Sequence, residues 1–386
     1  MTVRPFTWLA LSYFGYYVAY GVTVPFLPVW LKSQSYGEEL IGTVIASSYL
    51  FRFIGGIYFP SLVKRVSQIL PSLRLLAWAT VLMTLIIAFV AESFWMIFIA
   101  IGLFSMINSA GMPLTDSMAT TWQSQVKLDY GRARLIGSLA FVIGVTVFGH
   151  LIGAIGEQYI IWILVGLFSL YSIVQLVSPE PKPQDEKKVE AKSAVGFLEL
   201  LNNKTHLRLM ISAMLIQGSH AAYYVYSMIY WASAGIPVET TSLLWGLSVA
   251  SEILLFFFSG KLFKHWSISS IFYLAAIAVV IRWGLFSYVE DIWSMAILQC
   301  LHSITFAAMH YAMVRYIAMQ PRHTMVRLQS LYSGLATNAA VALFTLLSGL
   351  IYPISTHWVF LLMMLCGVFA LFVIPRTVKT HLTCYN

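Results

Sequence analysis

The chain alternates between long apolar stretches of about 20 residues and short polar connections. An α-helix of that length crosses roughly 30 Å of hydrocarbon. The short apolar–polar alternation that is typical of membrane strands does not occur in the sequence. The pattern therefore predicts an all-α membrane protein with twelve membrane-spanning helices. The predicted spans are 6–31, 40–62, 73–91, 94–122, 131–155, 158–178, 206–234, 240–263, 269–289, 292–318, 325–352 and 356–375.

The composition supports this prediction. Of the 386 residues, 59% are hydrophobic and only 10% are charged, whereas soluble globular proteins carry about 25% charged residues. The first stretch is too long for a signal-peptide core and lacks a small-residue cleavage site, so we expect it to remain as the first helix. The three cysteines show neither a disulfide framework nor metal-ligand spacing, and we expect no cofactor.

Lysine and arginine are unevenly distributed between alternate connections. The basic residues of the first set, which includes both chain ends, are Arg4, Lys64, Arg65, Arg74, Lys127, Arg132, Lys182, Lys187, Lys188, Lys192, Lys204, Arg208, Lys261, Lys264, Arg315, Arg322, Arg327, Arg376 and Lys379. The opposite connections carry Lys32 against Glu38, Glu39, Glu92, Glu157, Glu239, Glu290 and Asp291. Because cytoplasmic connections are rich in basic residues, both termini are predicted to face the cytoplasm. The net charge of +8 then reflects sidedness rather than nucleic-acid binding.

Residues Ser178–Ala194 form the only long polar stretch, with three prolines, mixed charge and few bulky apolar side chains. This composition is typical of a flexible linker. The predicted domains are a six-helix bundle over 1–178, a cytoplasmic linker over 179–204, and a second six-helix bundle with a short tail over 205–386. An offset of 200 residues aligns Lys64 with Lys264 and sets Arg52 opposite Glu252, which favours two related halves.

Ionic side chains inside the predicted spans stand out against this apolar background. They are Arg52, Asp116, Arg134, Glu252 and Arg282. A charge at mid-helix costs about 2.5–3.5 kcal/mol even on a lenient insertion scale, so such residues usually face a protein interior or a wet cavity. They are either structural ion pairs or parts of a functional site. The bases exceed the acids by one, which suits an anionic substrate.

Asp116 and Arg134 flank a short connection, so neighbouring helices can bring them face to face. Pro113 is expected to kink its helix just before Asp116. The pair is either structural or offers a donor fork and an acceptor to a polar ligand.

His302, Phe306 and His310 are spaced four residues apart and are predicted to share one helix face. We expect His310 to be a packed, hydrogen-bonded histidine. His302 is suited to proton transfer, because imidazole titrates near neutral pH. Glu252, a carboxylate deep in an apolar span, is the stronger proton-binding candidate.

Two helices carry stripes of aromatic and polar residues. The first predicted helix has Tyr13, Tyr16, Tyr17 and Tyr20, and the seventh has His220, Tyr223, Tyr224 and Ser227. These stripes either line a cavity for an aromatic ligand or serve packing and interface anchoring. The motif GHLIG at 149–153 indicates close helix packing rather than chemistry.

Several motifs are spread over nearly the whole chain. They are PFLPVWL at 25–31, PLTD…DYGRAR at 113–134, SEILLFF at 251–257, VIRWG at 280–284 and CLHS at 300–303. Together they resemble the major facilitator superfamily, in the branch of the lactose permease and, most of all, of the bacterial 3-phenylpropionate (hydrocinnamate) and cinnamate proton symporters. The resemblance implies two pseudo-symmetric six-helix bundles that work by alternating access.

The resemblance also implies roles for the ionic residues. Asp116 and Arg134 match permease positions that contact the sugar. Glu252 and His302 match positions that join substrate binding to proton coupling, and Arg282 matches a coupling position.

The chain departs from the permease at several of its functional positions. The stacking tryptophan is replaced by Phe141 here, and the coupling carboxylate by Thr305, so the coupled proton is expected on Glu252, on Asp116 or in a relay through His302. The helix 7 aspartates are replaced by Tyr224 and Ser227, and the connection between helices 2 and 3 lacks the superfamily's usual aspartate. These losses of acid, with Arg282 retained, favour a carboxylate over a sugar as the ligand.

We expect a proton-coupled symporter of the bacterial inner membrane, not an enzyme, that imports a small aromatic carboxylate such as 3-phenylpropionate or cinnamate. The expected substrate-binding residues are Asp116, Arg134, Arg52, Phe141, Tyr224 and Ser227, and the expected proton-coupling residues are Glu252, His302 and Arg282. The expected partners are the substrate, protons and the lipid bilayer, with the protein working as a monomer. The alternatives are a proton symporter for a sugar, oligosaccharide or nucleoside, and a non-transporting membrane sensor.

Overall fold

A computed structural model describes residues 2–184, 196–289 and 291–378. Its helices are α1 (Pro5–Ser33), α2 (Glu38–Leu62), α3 (Ile69–Phe89), α4 (Phe94–Ser109), α5 (Gly111–Val126), α6 (Tyr130–Ile155), α7 (Ile160–Gln175), α8 (Phe197–Asn202), α9 (Lys204–Gly218), α10 (Ala221–Ser233), α11 (Val238–Leu262), α12 (Ile268–Phe286), α13 (Ile292–Cys300), α14 (Met309–Ala318), α15 (Arg322–Leu331), α16 (Val341–Ile351) and α17 (Thr356–Val373). Short 3-10 turns, Val66–Gln68 and Glu157–Tyr159, precede α3 and α7. Two π-helical segments, Ser303–Ala308 and Tyr332–Ala340, lie before α14 and α16.

Eleven helical runs in the described residues are long and apolar enough to cross a membrane. They match eleven of the twelve predicted spans to within two helical turns. The exception is the predicted span 206–234, which is divided into α9 and α10, so that neither piece reaches spanning length by itself. The chain is an all-α, multi-pass membrane protein.

Side-chain hydrogen bonds explain the break between α9 and α10. Ser219 Oγ donates to the Ile216 carbonyl at 2.6 Å, and His220 Nδ1 lies 3.0 Å from the same oxygen. The backbone N–H of His220 bonds instead to the Gln217 carbonyl, in a tighter turn. Side chains that compete for helix carbonyls in this way bend or interrupt a helix.

The fourth span is also interrupted, at Ala110 between α4 and α5. Pro113 follows three residues later. Its ring and its missing N–H disturb the preceding turn. The kink predicted from Pro113 thus corresponds to a helix break at Ala110, about one turn before the proline.

Contacts divide the described residues into two compact units. The first unit comprises 2–184 and 225–246, and the second comprises 196–224 and 247–378. This division follows packing, and the domain boundaries predicted from the sequence stay a prediction. Residues 185–195 of the predicted linker, Glu290 and the tail from residue 379 onward lie outside the described residues.

The start of the predicted linker is tied to the first unit. Thr2–Val3 (β1) pairs in parallel with Ser178–Pro179 (β2). Trp122 Nε1 of α5 donates to the Pro181 carbonyl at 3.2 Å. These bonds hold the chain as it leaves α7.

Gly149 and Gly153 of α6 make a close approach to the start of α11 inside the first unit. A Cβ atom at Gly149 would overlap the Ser242 side chain, and one at Gly153 would overlap Glu239. The helices can meet here only because both positions lack a side chain. The prediction that GHLIG is a packing motif is confirmed.

Many large apolar side chains are exposed in both units. Leu75 is 72% exposed in the first unit, and Phe257 and Trp293 are 77% and 82% exposed in the second. Water would disfavour such surfaces, whereas the hydrocarbon of a bilayer matches them.

Candidate functional site

The first unit places Asp116 of α5 beside two tyrosines. Tyr13 of α1 donates its hydroxyl to Asp116 Oδ1 at 2.6 Å, and Tyr130 of α6 donates to the same oxygen at 3.3 Å. Tyr13 is buried, whereas Asp116 and Tyr130 are half-buried. Three helices therefore converge on one carboxylate.

Arg134 lies over the same tyrosines. Its Cζ is 4.6 Å from the Tyr17 ring centroid and 5.5 Å from that of Tyr13. Within the described residues, no nitrogen of Arg134 comes within 4.0 Å of an Asp116 oxygen. The expected direct, face-to-face pair of Asp116 and Arg134 is therefore wrong. Tyr13 joins the two charges, because its hydroxyl binds the acid while its ring faces the guanidinium.

Arg52 occupies a third position in the first unit. Its Cζ lies 5.1 Å from the Tyr20 ring centroid and 5.7 Å from that of Tyr49. Arg52 is 14 residues beyond the first residue of α2, Glu38, which is about 21 Å along the helix and near the middle of a bilayer. A charge at that depth costs about 2.5–3.5 kcal/mol, and a desolvated cation–π contact offsets about 2 kcal/mol of it.

Phe141 extends this arrangement. Its ring meets the Tyr20 ring edge-on at 5.9 Å, and Tyr20 stacks on Tyr16 at 5.8 Å. We call the whole set the aromatic–arginine cluster; its members are Tyr13, Tyr16, Tyr17, Tyr20, Tyr49, Arg52, Asp116, Tyr130, Arg134 and Phe141. The tyrosine stripe predicted on the first helix lies within it, since neighbouring rings along the stripe are 5.2–6.4 Å apart. Tyr49 and Tyr130 were not predicted, although helical spacing places each beside an arginine: Tyr49 is three residues before Arg52, and Tyr130 is four before Arg134.

Tyr224 and Ser227 belong to different units. Ser227 is buried in the first unit and accepts a hydrogen bond from Trp245 Nε1 at 2.9 Å. Tyr224, in the second unit, is half-buried and stacks on the His220 ring at 5.8 Å. Their substrate-binding roles stay a prediction.

The second unit buries Arg282 of α12 completely, at 0% exposure. Its Nη1 donates to His302 Nδ1 at 3.0 Å and to Thr305 Oγ1 at 3.2 Å, and its Nη2 donates to Gln299 Oε1 at 3.1 Å. The guanidinium also lies 4.3 Å from the Trp283 ring centroid. Its Nε has no acceptor among the described residues. The two terminal nitrogens are thus committed to acceptors of the second unit.

These contacts determine the tautomer of His302. An arginine can only donate, so His302 Nδ1 must accept, and the ring proton sits on Nε2. That nitrogen lies 3.6 Å from Glu252 Oε2, slightly beyond hydrogen-bond distance. His302 therefore presents an N–H to Glu252 and cannot take a second proton on Nδ1 while Arg282 is bound there.

Thr305 joins Arg282 to His220. Carbonyl oxygens only accept, so the 3.0 Å contact of His220 Nδ1 with the Ile216 carbonyl places the ring proton on Nδ1. His220 Nε2 must then accept from the Thr305 hydroxyl, at 2.9 Å. We call Glu252, Arg282, His302, Thr305 and His220 the arginine–histidine network. The sequence placed His220 in an aromatic stripe and did not predict this bond.

His302, Phe306 and His310 share one face, as predicted. Phe306 lies nearly parallel to both histidine rings, at 5.4 Å from His302 and 6.0 Å from His310. His310 Nδ1 lies 2.8 Å from the Tyr332 hydroxyl, so the prediction of a packed, hydrogen-bonded His310 is confirmed. The π-helical turn Ser303–Ala308 lies within this stack, and such turns are frequent at functional sites.

Comparison with known proteins identifies membrane transporters that match nearly the whole chain. The MFS_1 like family model matches residues 6–362. The "Probable 3-phenylpropionic acid transporter" of Escherichia coli (strain K12) is 35% identical over 98% of this chain and 100% of its own. The "Uncharacterized transporter YwbF" of Bacillus subtilis (strain 168) is 24% identical over 70% of this chain and 68% of its own.

Solved structures share the fold. A crystal structure of a mutant form of the nucleoside transporter NupG superposes with a TM-score of 0.83, covering 97% of this chain and all of that one, at 15% identity. At so low an identity the likeness shows the fold alone.

Proposed function

The chain belongs to the MFS_1 like family of membrane transporters, and on this basis we propose that it is a proton-coupled symporter that imports a small aromatic carboxylate across the bacterial inner membrane. The proposed substrates are 3-phenylpropionate and cinnamate, carried by alternating access in a monomer whose termini both face the cytoplasm. The chain is a secondary transporter and not an enzyme. Its relatives and the solved structures that share its fold are transporters as well.

The aromatic–arginine cluster is the observation that carries this proposal. A small aromatic carboxylate needs a cation for its charged end and π faces for its ring. Arg52 and Arg134 both lie against tyrosine rings, and Phe141 adjoins Tyr20. A sugar, in contrast, is held mainly by many directed hydrogen bonds. The 35% identical relative, a probable 3-phenylpropionic acid transporter, supports this choice of substrate.

We propose Glu252 as the group that carries the coupled proton. Thr305 stands where the permease has its carboxylate and has no proton-binding group of that kind. His302 is committed to Arg282 through Nδ1. Protonation of Glu252 would remove the negative charge that faces the His302 N–H, and so would leave Arg282 as the uncompensated charge of the arginine–histidine network.

Charge balance makes the proposal testable. A monoanion that enters with one proton moves no net charge, so the membrane potential does not drive it. Each unit of pH gradient supplies about 1.4 kcal/mol, equivalent to a tenfold accumulation. A neutral sugar or nucleoside that enters with one proton would gain about 2.3 kcal/mol per 100 mV instead.

The experiment is uptake of labelled 3-phenylpropionate by proteoliposomes, with a pH gradient or a potassium diffusion potential imposed separately. Protein-free liposomes correct for passive crossing by the protonated acid. We expect the pH gradient to drive accumulation and the potential to have no effect. Accumulation that follows voltage at constant pH would exclude the one-to-one model. Uptake of nucleosides or sugars in place of aromatic acids would establish the alternative substrate class, and flux of no solute would favour a sensor.

A further inference from the structure

The ionic residues of the first unit are not equivalent. Asp116 and Arg134 both contact Tyr13, the first at its hydroxyl and the second at its ring. The negative and positive charges lie on either side of one side chain and compensate each other. An anion that approached Arg134 would also approach the Asp116 carboxylate, which would repel it.

Arg52 lacks such a companion. The titratable side chains that surround it in the first unit are Tyr16, Tyr20 and Tyr49. Within the described residues of that unit, no carboxylate lies within 4.0 Å of its guanidinium. Arg52 is half-buried rather than fully enclosed in its unit. It is the uncompensated cation of the aromatic–arginine cluster.

The backbone that carries Arg52 is held firmly against α4. Ser109 Oγ of α4 donates to the Arg52 carbonyl at 2.9 Å. One turn further along α2, a Cβ atom at Gly55 would overlap the backbone of Met106, so α2 and α4 are in direct backbone contact there. A ligand group bound by Arg52 would therefore be held at a defined place relative to the neighbouring rings.

We infer that Arg52, rather than Arg134, binds the carboxylate of the transported acid, and that Tyr20 and Phe141 flank its aromatic ring. Tyr20 contacts both Arg52, at 5.1 Å, and Phe141, at 5.9 Å, so a cation and two ring surfaces adjoin one place. Asp116 and Arg134 then act as positioning residues that orient Tyr13 and Tyr17. This inference rests on the proposed function, because it presumes an aromatic carboxylate as substrate.

The test compares binding of 3-phenylpropionate with binding of its neutral amide, 3-phenylpropionamide. The two ligands share their shape and ring and differ in charge. We expect the wild type to prefer the carboxylate, and Arg52→Gln to abolish that preference. The Kd of the carboxylate should rise about 10- to 100-fold, as for loss of a charge-assisted hydrogen bond, while the Kd of the amide should change by less than about threefold.

Arg134→Gln is the matched control. It leaves the Asp116 charge uncompensated, so it should weaken the carboxylate somewhat more than the amide, but the preference for the carboxylate should remain. Arg52→Lys, which keeps the charge but loses the planar fork, should retain a reduced preference and covers the case in which Arg52→Gln does not fold.

The opposite pattern would overturn the inference. A carboxylate preference that survives in both Arg52 variants, but is lost in Arg134→Gln, would place the carboxylate at Arg134. If the wild type bound no aromatic carboxylate at all, the proposed function would fail first and this inference would fail with it. Thermal unfolding of each variant distinguishes lost binding from lost structure.

Discussion

Arginines in the two units of this transporter have opposite surroundings. Arg52 and Arg134 in the first unit are half-buried and lie against the faces of tyrosine rings. Arg282 in the second unit is fully buried and donates to a histidine, a threonine and a glutamine. A ring face leaves the in-plane donors of a guanidinium available, whereas hydrogen-bond acceptors occupy them.

On the basis of this difference we propose separate tasks for the aromatic–arginine cluster and the arginine–histidine network. The aromatic–arginine cluster is suited to an incoming anion with a ring. The arginine–histidine network fixes the ring protons of His302 and His220, and in our proposal Glu252 is the group that gains and loses the coupled proton. Substitutions in the aromatic–arginine cluster should therefore impair substrate binding, whereas substitutions in the arginine–histidine network should impair proton-driven accumulation.

The largest effect is expected from Glu252→Gln. An amide cannot bind and release the coupled proton, so accumulation driven by a pH gradient should be lost completely. Exchange of labelled for unlabelled 3-phenylpropionate at equal pH should persist, because exchange does not require the proton to leave. Both are measured in the same proteoliposomes. Glu252→Asp, which keeps the carboxylate, should retain part of the accumulation; equal loss of exchange and accumulation in Glu252→Gln would refute its role as proton carrier.

A smaller effect is expected from Thr305→Val, which keeps the shape of the side chain but removes the hydroxyl between Arg282 and His220. An unsatisfied buried polar group costs about 1–3 kcal/mol, so the rate of proton-driven uptake should fall at least about fivefold. Thr305→Ser restores the hydroxyl and should restore most of the rate. If Thr305→Val transported like the wild type, the bond to His220 would have no part in coupling.

In the first unit, Tyr17→Leu should have a weaker effect. It removes the ring under Arg134, and a cation–π contact contributes about 0.5–2 kcal/mol, so substrate affinity should fall about 2- to 30-fold. Tyr17→Phe keeps the ring and serves as the control. Equilibrium binding of 3-phenylpropionate checks both variants. Equal losses in the two would attribute the effect to the hydroxyl instead.

The smallest effect on transport is expected from Gly149→Ala, which bears on packing alone. The added methyl group would overlap Ser242, and overpacking costs about 1–3 kcal/mol. The unfolding temperature in detergent should fall, while the preference for carboxylate over amide stays unchanged. Gly166→Ala, where no atom lies within 4 Å of the added Cβ, should unfold like the wild type. A changed ligand preference in Gly149→Ala would show that packing and recognition cannot be separated here.

The membrane spans could be predicted from the sequence because each is a continuous apolar stretch long enough to cross a bilayer. The interruption at Ala110 was accessible for a similar reason, since Pro113 acts locally. The break at Ser219 and His220 was not predicted, although the pair Gly218–Ser219 marks it; its cause is competition for the Ile216 carbonyl, which becomes visible only in the structure.

The candidate site shows the same limit. The ionic residues could be found because charge is rare in the spans, and the tyrosine stripe could be found from its helical spacing. Tyr49, three residues before Arg52 on α2, could also have been found from its spacing. Partners on other helices could not: His220 meets Thr305 only in the folded chain. The expected Asp116–Arg134 pair was wrong for this reason, since Tyr13 approaches from α1 and joins the two charges.

The most direct test of this division of tasks measures equilibrium binding and pH-driven accumulation of 3-phenylpropionate in the same two variants. Arg52→Gln should weaken binding of the acid about 10- to 100-fold, and accumulation should fall with it. Arg282→Gln should still bind the acid within about tenfold of the wild-type Kd and yet fail to accumulate it when a pH gradient is imposed. Binding that is lost in Arg282→Gln and retained in Arg52→Gln would contradict the account.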